Sequence, residues 1–67
     1  MKFKNNNWGE RVLKVKDFDD DRIEVKAFTS NLVFNTKHKG EDLGRAVVMD
    51  RNKARKFAEA ILKETAK

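Results

Sequence analysis

The sequence predicts an α+β domain, a four-stranded antiparallel meander followed by one C-terminal helix (ββββα). Three observations predict it. The last quarter of the chain carries a clear helical period. Two earlier stretches alternate apolar and polar residues as strands do. The connections between strands are too short for parallel crossovers, so neighbouring strands must run antiparallel.

The helix is predicted from Asp50 to Ala66. Ala54, Phe57, Ala58, Ile61, Leu62 and Thr65 fall on one face of a 3.6-residue repeat. Asp50 is suited to the N-cap, where its carboxylate accepts from exposed backbone N–H groups. No Gly or Pro interrupts the segment. A stripe of this kind needs a surface to lie on, and the preceding strands supply it.

The elements before it follow in order. Met1 to Asn7 reads as a flexible lead-in, since Lys2-Phe3-Lys4 alternates but Asn5-Asn6-Asn7 reads as loop. Trp8 is expected to close the core near a strand start. Arg11 to Lys16 is a strand with Leu13 and Val15 on one face and Val12, Lys14 and Lys16 on the other. Asp17 to Asp21 is a turn. Arg22 to Phe28 is the cleanest strand, with Ile23, Val25 and Ala27 inward and Arg22, Glu24, Lys26 and Phe28 outward. Leu32-Val33-Phe34 is a short third strand after a turn at Thr29 to Asn31. Asn35 to Asp42 is a polar loop. Leu43 to Met49 is a fourth strand that runs straight into the helix.

Sixty-seven residues make a single small domain. A core of that size supplies only about 3–5 kcal/mol. The sequence has no Cys and one His, which leaves no disulfide and no structural zinc of the usual kind. Oligomerisation is the expected source of further buried area. No signal peptide and no apolar run of membrane-spanning length are visible, so a cytoplasmic protein without a membrane is expected. The balance of 16 basic to 11 acidic residues, net +5, favours acidic partners, nucleic acid first.

No catalytic constellation is present, and no enzyme, cofactor or metal is expected. His38 stands in a charged loop without a nucleophile near it in sequence. The aspartates of the Asp17–Asp21 turn lack the Gly and distal Glu of an EF-hand. Two surfaces remain. Lys14, Lys16, Arg22 and Lys26 share the outward face of the first hairpin with Phe28, an arrangement suited to a phosphate backbone and a stacked base. Arg51, Lys53, Arg55 and Lys56 crowd the start of the helix, where cations oppose the macrodipole and an anion would be welcome. Residues 51 to 67 hold six bases and two acids, +4 of the net +5. The alternative is an internal acidic neighbour, either Asp19 to Asp21 or Glu41 and Asp42.

The order of elements resembles the positive-cofactor-four type of transcriptional coactivator, over Arg11 to about Ile61. Arg11, Leu13, Val15, Lys16, Asp17 and Phe18 resemble that family's first strand. Ile23, Val25, Lys26 and Phe28 resemble its second. Val47, Met49 and Asp50 resemble the strand-to-helix junction, with Phe57 and Ile61 on the apolar side of the helix. The resemblance implies a curved four-stranded sheet with one helix, a homodimer through that C-terminal helix, and single-stranded DNA on the sheet. It implies nucleic-acid contacts at Phe18, Lys26 and Arg45. Asp19, Asp20 and Asp21 depart from the lysines the family places there, and Ala54 and Arg51 replace its helix aromatic and helix-opening Pro.

The expected function is therefore a non-enzymatic module that binds single-stranded DNA or RNA as a homodimer. The alternative is a small inhibitor or adaptor, of the kind phages and mobile elements encode, that binds a host protein through the aspartate turn, Trp8 or the helix.

Overall fold

The computed structural model describes residues 1–16, 21–40 and 44–67. It is an α+β fold with five strands and one helix. The strands are β1 (Lys4–Asn5), β2 (Arg11–Lys16), β3 (Arg22–Ala27), β4 (Asn31–Lys37) and β5 (Arg45–Asp50), followed by α1 (Arg51–Thr65). They form one antiparallel meander in the order β1-β2-β3-β4-β5. The expected meander and helix are present, with one strand more than the four expected.

The additional strand comes from the expected lead-in. Lys4 pairs with Val12 and Asn5 with Arg11. Asn6 makes this possible by organising the turn that follows. Its side-chain oxygen accepts from the backbone N–H groups of Trp8 and Glu10, each at 2.9 Å. Its amide donates to the Glu10 carboxylate at 2.9 Å. An Asn that mimics a backbone turn in this way reads as loop in a sequence while it holds a hairpin together. Gly9 supplies the positive φ, 78°, that the turn needs. Trp8 stands at the tip, 86% exposed, and does not close the core.

The register sets the faces, because side chains alternate along each strand. Leu13, Val25, Phe34 and Val47 lie directly across from one another. Arg11, Ala27, Leu32 and Met49 form the next row on that face, and Val15, Ile23, Thr36 and Arg45 the third. This is the face the helix covers. The alternation predicted for β2 and β3 matches it.

The helix begins where the sequence places it. Asp50 is the N-cap and accepts from the Lys53 N–H at 2.7 Å. Over 15 residues the helix is roughly 22 Å long. It packs against β4 and β5. Ala54 is buried at the contact, and the Phe57 and Phe34 rings meet edge to face with centroids 6.0 Å apart. Such a pair adds about 0.5–1.5 kcal/mol beyond the area it buries.

The core is thin. Among the described residues only Val12, Val25 and Ala54 are buried. An apolar groove of about 630 Å³ runs beside the helix, lined among others by Phe3, Leu13, Val25, Ala58 and Leu62. Phe57, Ile61 and Leu62 remain 45%, 49% and 70% exposed. The chain alone leaves a large part of its stripe uncovered.

Candidate nucleic-acid interface

The opposite face of the sheet is basic. Its rows follow from the register. Lys16, Arg22 and Lys37 stand side by side on β2, β3 and β4. Lys14, Glu24, Asn35 and Ala46 form the second row. Lys4, Val12, Lys26, Val33 and Val48 form the third. Six bases thus share this surface with Glu24, and with Glu10 beside Lys26, before Asp50 is reached at the helix junction.

The first row is the densest. Adjacent strands lie about 4.8 Å apart. Like charges directly opposite each other destabilise a sheet. A shallow depression of about 530 Å³ adjoins this end, lined by Lys14, Lys16, Arg22, Glu24, Asn35 and Lys37 among others. Of the positions expected to form the interface, Lys14, Lys16, Arg22 and Lys26 are brought onto one face. Lys4 and Lys37 join them. Sequence reading missed both, because β1 reads as loop and β4 carries no register of its own.

The third row is partly neutralised. Glu10 lies 3.6 Å from the Lys26 ammonium. The Glu10 carboxyl is held below the ordinary carboxylate value, first by the Asn6 hydrogen bond and then by Lys26, against an opposing effect of desolvation. Val12 is buried on this face, where Lys4 and Lys26 flank it across the strands. Their aliphatic stems cover such a residue while the charged heads stay in water.

The remaining expected positions are placed differently. Phe28 lies past the end of β3, in the turn to β4, and is 40% exposed. Arg45 pairs with Thr36, in the row of Val15 and Ile23, so it is on the helix side of the sheet. A one-residue shift in a strand changes the face, and Arg45 falls on the wrong parity to join Lys26. Phe18 lies outside the described residues, as do Asp17, Asp19 and Asp20 of the aspartate turn.

Asp21 is described. Its carboxylate pairs with His38 Nδ1 at 3.0 Å and accepts from the Lys39 N–H at 3.2 Å. These contacts tie the β2–β3 connection to the loop after β4. They hold the Asp21 carboxyl below its ordinary value, the His38 hydrogen bond first.

The helix start does not converge on one anion site. Arg51 donates from Nε to the Phe28 carbonyl at 2.9 Å. Arg51 and Arg55 border the apolar groove. Lys53 and Lys56 project from other parts of the helix circumference, as the 100° step per residue requires. The Asp50 carboxylate already occupies the N–H end. The described partner of Arg51 is a carbonyl oxygen; of the acidic neighbours expected there, Asp19, Asp20, Glu41 and Asp42 lie outside the described residues. Asp21 is beside His38 and Lys39, at the other end of β3 from the helix start. Among the described residues no ion pair joins Arg55 to Glu59 or Glu59 to Lys63, although their spacing permits both.

Among the described residues no three His, Asp or Glu side chains gather as metal ligands. No helix among them is long and apolar enough to cross a membrane. Comparison with protein-family models, curated proteins and solved structures finds no match to this chain.

Proposed function

We propose that this chain is a non-enzymatic binding module that holds single-stranded DNA or RNA on its basic sheet face as a homodimer. The observation that carries the reading is the basic sheet face, on which Arg22 and Lys37 stand directly opposite each other on adjacent strands with Lys14 beside them. Fold stability does not favour two like charges directly opposite each other. A polyanion laid across the row offsets the repulsion and releases its own counterions. Phe28 and Trp8, both exposed, offer rings on which bases can stack. The resemblance to the coactivator family points the same way, although its fold has four strands and this one has five. The thin core and uncovered helix stripe support the homodimer.

The test is titration with labelled single- and double-stranded oligonucleotides at about 50 and 300 mM salt, with protein mass measured alongside. Binding to single strands that falls steeply with salt supports the reading. No shift at low salt, or a shift that salt leaves unchanged, rules it out.

A second reading has its own observation. Trp8 is 86% exposed at the tip of a turn that Asn6 holds rigidly. An anchored aromatic of this kind suits a protein partner. In that case Trp8→Ala abolishes the contact, while reversing Arg22 does not.

A further inference from the structure

Glu24 is out of place on a surface that holds phosphate. It stands in the second row of the basic face, directly across from Lys14 on β2 and from Asn35 on β4. One row along the strands, about 7 Å away, Arg22 stands across from Lys37. All five line the depression of about 530 Å³. Phosphate oxygens only accept hydrogen bonds, and so does an ionised carboxylate. Glu24 therefore repels the backbone that its neighbours attract.

Internal contacts do not account for it. Among the described residues, neither the Glu24 carboxylate nor the Asn35 amide has a hydrogen-bond or ion-pair partner, although Lys14 is opposite Glu24. Glu10 differs, because Asn6 and Lys26 engage it. Glu24 and Asn35 are both half-buried. Lys14, Arg22 and Lys37 can only donate, so this pair supplies the acceptors of the depression, and the Asn35 amide adds a donor. Side chains directly opposite in an antiparallel pair have Cβ atoms about 4.5–5.5 Å apart, close enough to reach one base edge together.

A base in a single strand is free to present its Watson–Crick edge. Guanine alone carries two adjacent donors there, N1–H and the N2 amino group, beside one acceptor, O6. We propose that Glu24 and Asn35 read a guanine in the bound strand. The carboxylate accepts from N1–H and N2–H, and the Asn35 amide donates to O6. Arg22 and Lys37 hold a phosphate of the same strand in the next row. This rests on the single-stranded nucleic-acid reading above and adds a base preference to it. The cations position the strand and the Glu24–Asn35 pair specifies the base. Cytosine and adenine offer one amino group beside a ring nitrogen that accepts. Thymine and uracil offer one N–H between two carbonyl oxygens. A carboxylate that engages two positions of any of these edges meets a lone pair.

Fluorescence anisotropy at low salt tests this, with short oligothymidines carrying one internal guanine, inosine, adenine or cytosine. The wild type is expected to bind the guanine strand roughly tenfold tighter than oligothymidine alone, the scale of one bidentate base contact. Inosine lacks the N2 amino group and should lose most of that gain. Glu24→Gln keeps the size of the side chain. It should abolish the preference and tighten every strand, because a repelling charge is gone. Asn35→Ala should weaken the preference with the circular-dichroism spectrum unchanged. A wild type indifferent to the inserted base, with Glu24→Gln tightening all strands alike, overturns the guanine site and leaves the proposed function standing. A guanine preference that Glu24→Gln retains overturns the assignment to this pair. No binding of any strand overturns both.

Discussion

The guanidinium of Arg51 donates from Nε to the carbonyl oxygen of Phe28 at 2.9 Å, which ties the first turn of α1 to the β3–β4 connection. A residue that looks misplaced in the helix sequence thus fastens the helix to the sheet. Arg51→Ala is expected to lower stability by about 0.5–1 kcal/mol, a charge-assisted bond discounted for its exposure. Arg51→Lys should restore only part of that, because Lys lacks the planar fork. Urea unfolding of the two variants checks this.

The helix depends on its cap. Asp50→Ala removes the acceptor for the Lys53 N–H and should cost about 1 kcal/mol. For a domain of this size that lowers the melting temperature by roughly 4–8 °C. Asp50→Asn, which can still accept the bond, should lose much less.

Phe57 carries more. It is half-exposed yet meets Phe34 edge to face. Phe57→Ala is expected to cost about 2 kcal/mol, below the range for a fully buried Phe. Phe57→Leu should recover the packing but not the ring contact. Thermal unfolding of both at one protein concentration separates the two effects.

Binding should follow the faces. Arg22→Glu and Lys37→Glu are each expected to weaken single-stranded oligonucleotide binding at least tenfold. Each should also reduce the salt slope by about 1 for every phosphate the variant no longer neutralises. Lys26→Glu should weaken it less, because Glu10 already partly neutralises Lys26. Arg45→Glu, on the helix side, should change it little. Phe28→Ala should reduce affinity without altering the slope, since stacking releases no counterions.

The Asp21 clasp should respond to acid. Its folded-state value lies below the ordinary 3.8, so the unfolded chain binds the proton more readily. The stabilisation is therefore complete above the ordinary value and is lost as pH falls through the lower, folded one. Asp21→Asn should flatten stability against pH below about 4. Chemical denaturation between about pH 2 and 7 measures this.

Much of the architecture is legible in the sequence. The Ala54–Phe57–Ile61 period and Asp50 mark the helix and its start. The Leu13–Val15 and Ile23–Val25 alternations mark two strands with correct faces. These signals are local, because a period of 3.6 or 2 is written in consecutive residues. β1 is not legible, since its pairing depends on an Asn6 side chain that mimics backbone. The full length of β4 is not legible either, because Asn35, Thr36 and Lys37 are polar and gain their place only by pairing with neighbouring strands.

The candidate site divides in the same way. That Lys14, Lys16, Arg22 and Lys26 share a face follows from alternation within two adjacent strands, so the sequence alone determined it. That Lys37 completes a row with Lys16 and Arg22, and that Arg45 lies on the reverse side, depends on the register between distant strands. No local period encodes that register, because it arises when turns of particular length close the meander. Sequence by itself determined the helix, its cap and the polarity of the first hairpin. Tertiary structure decided which charges meet across strands and what Arg51 holds.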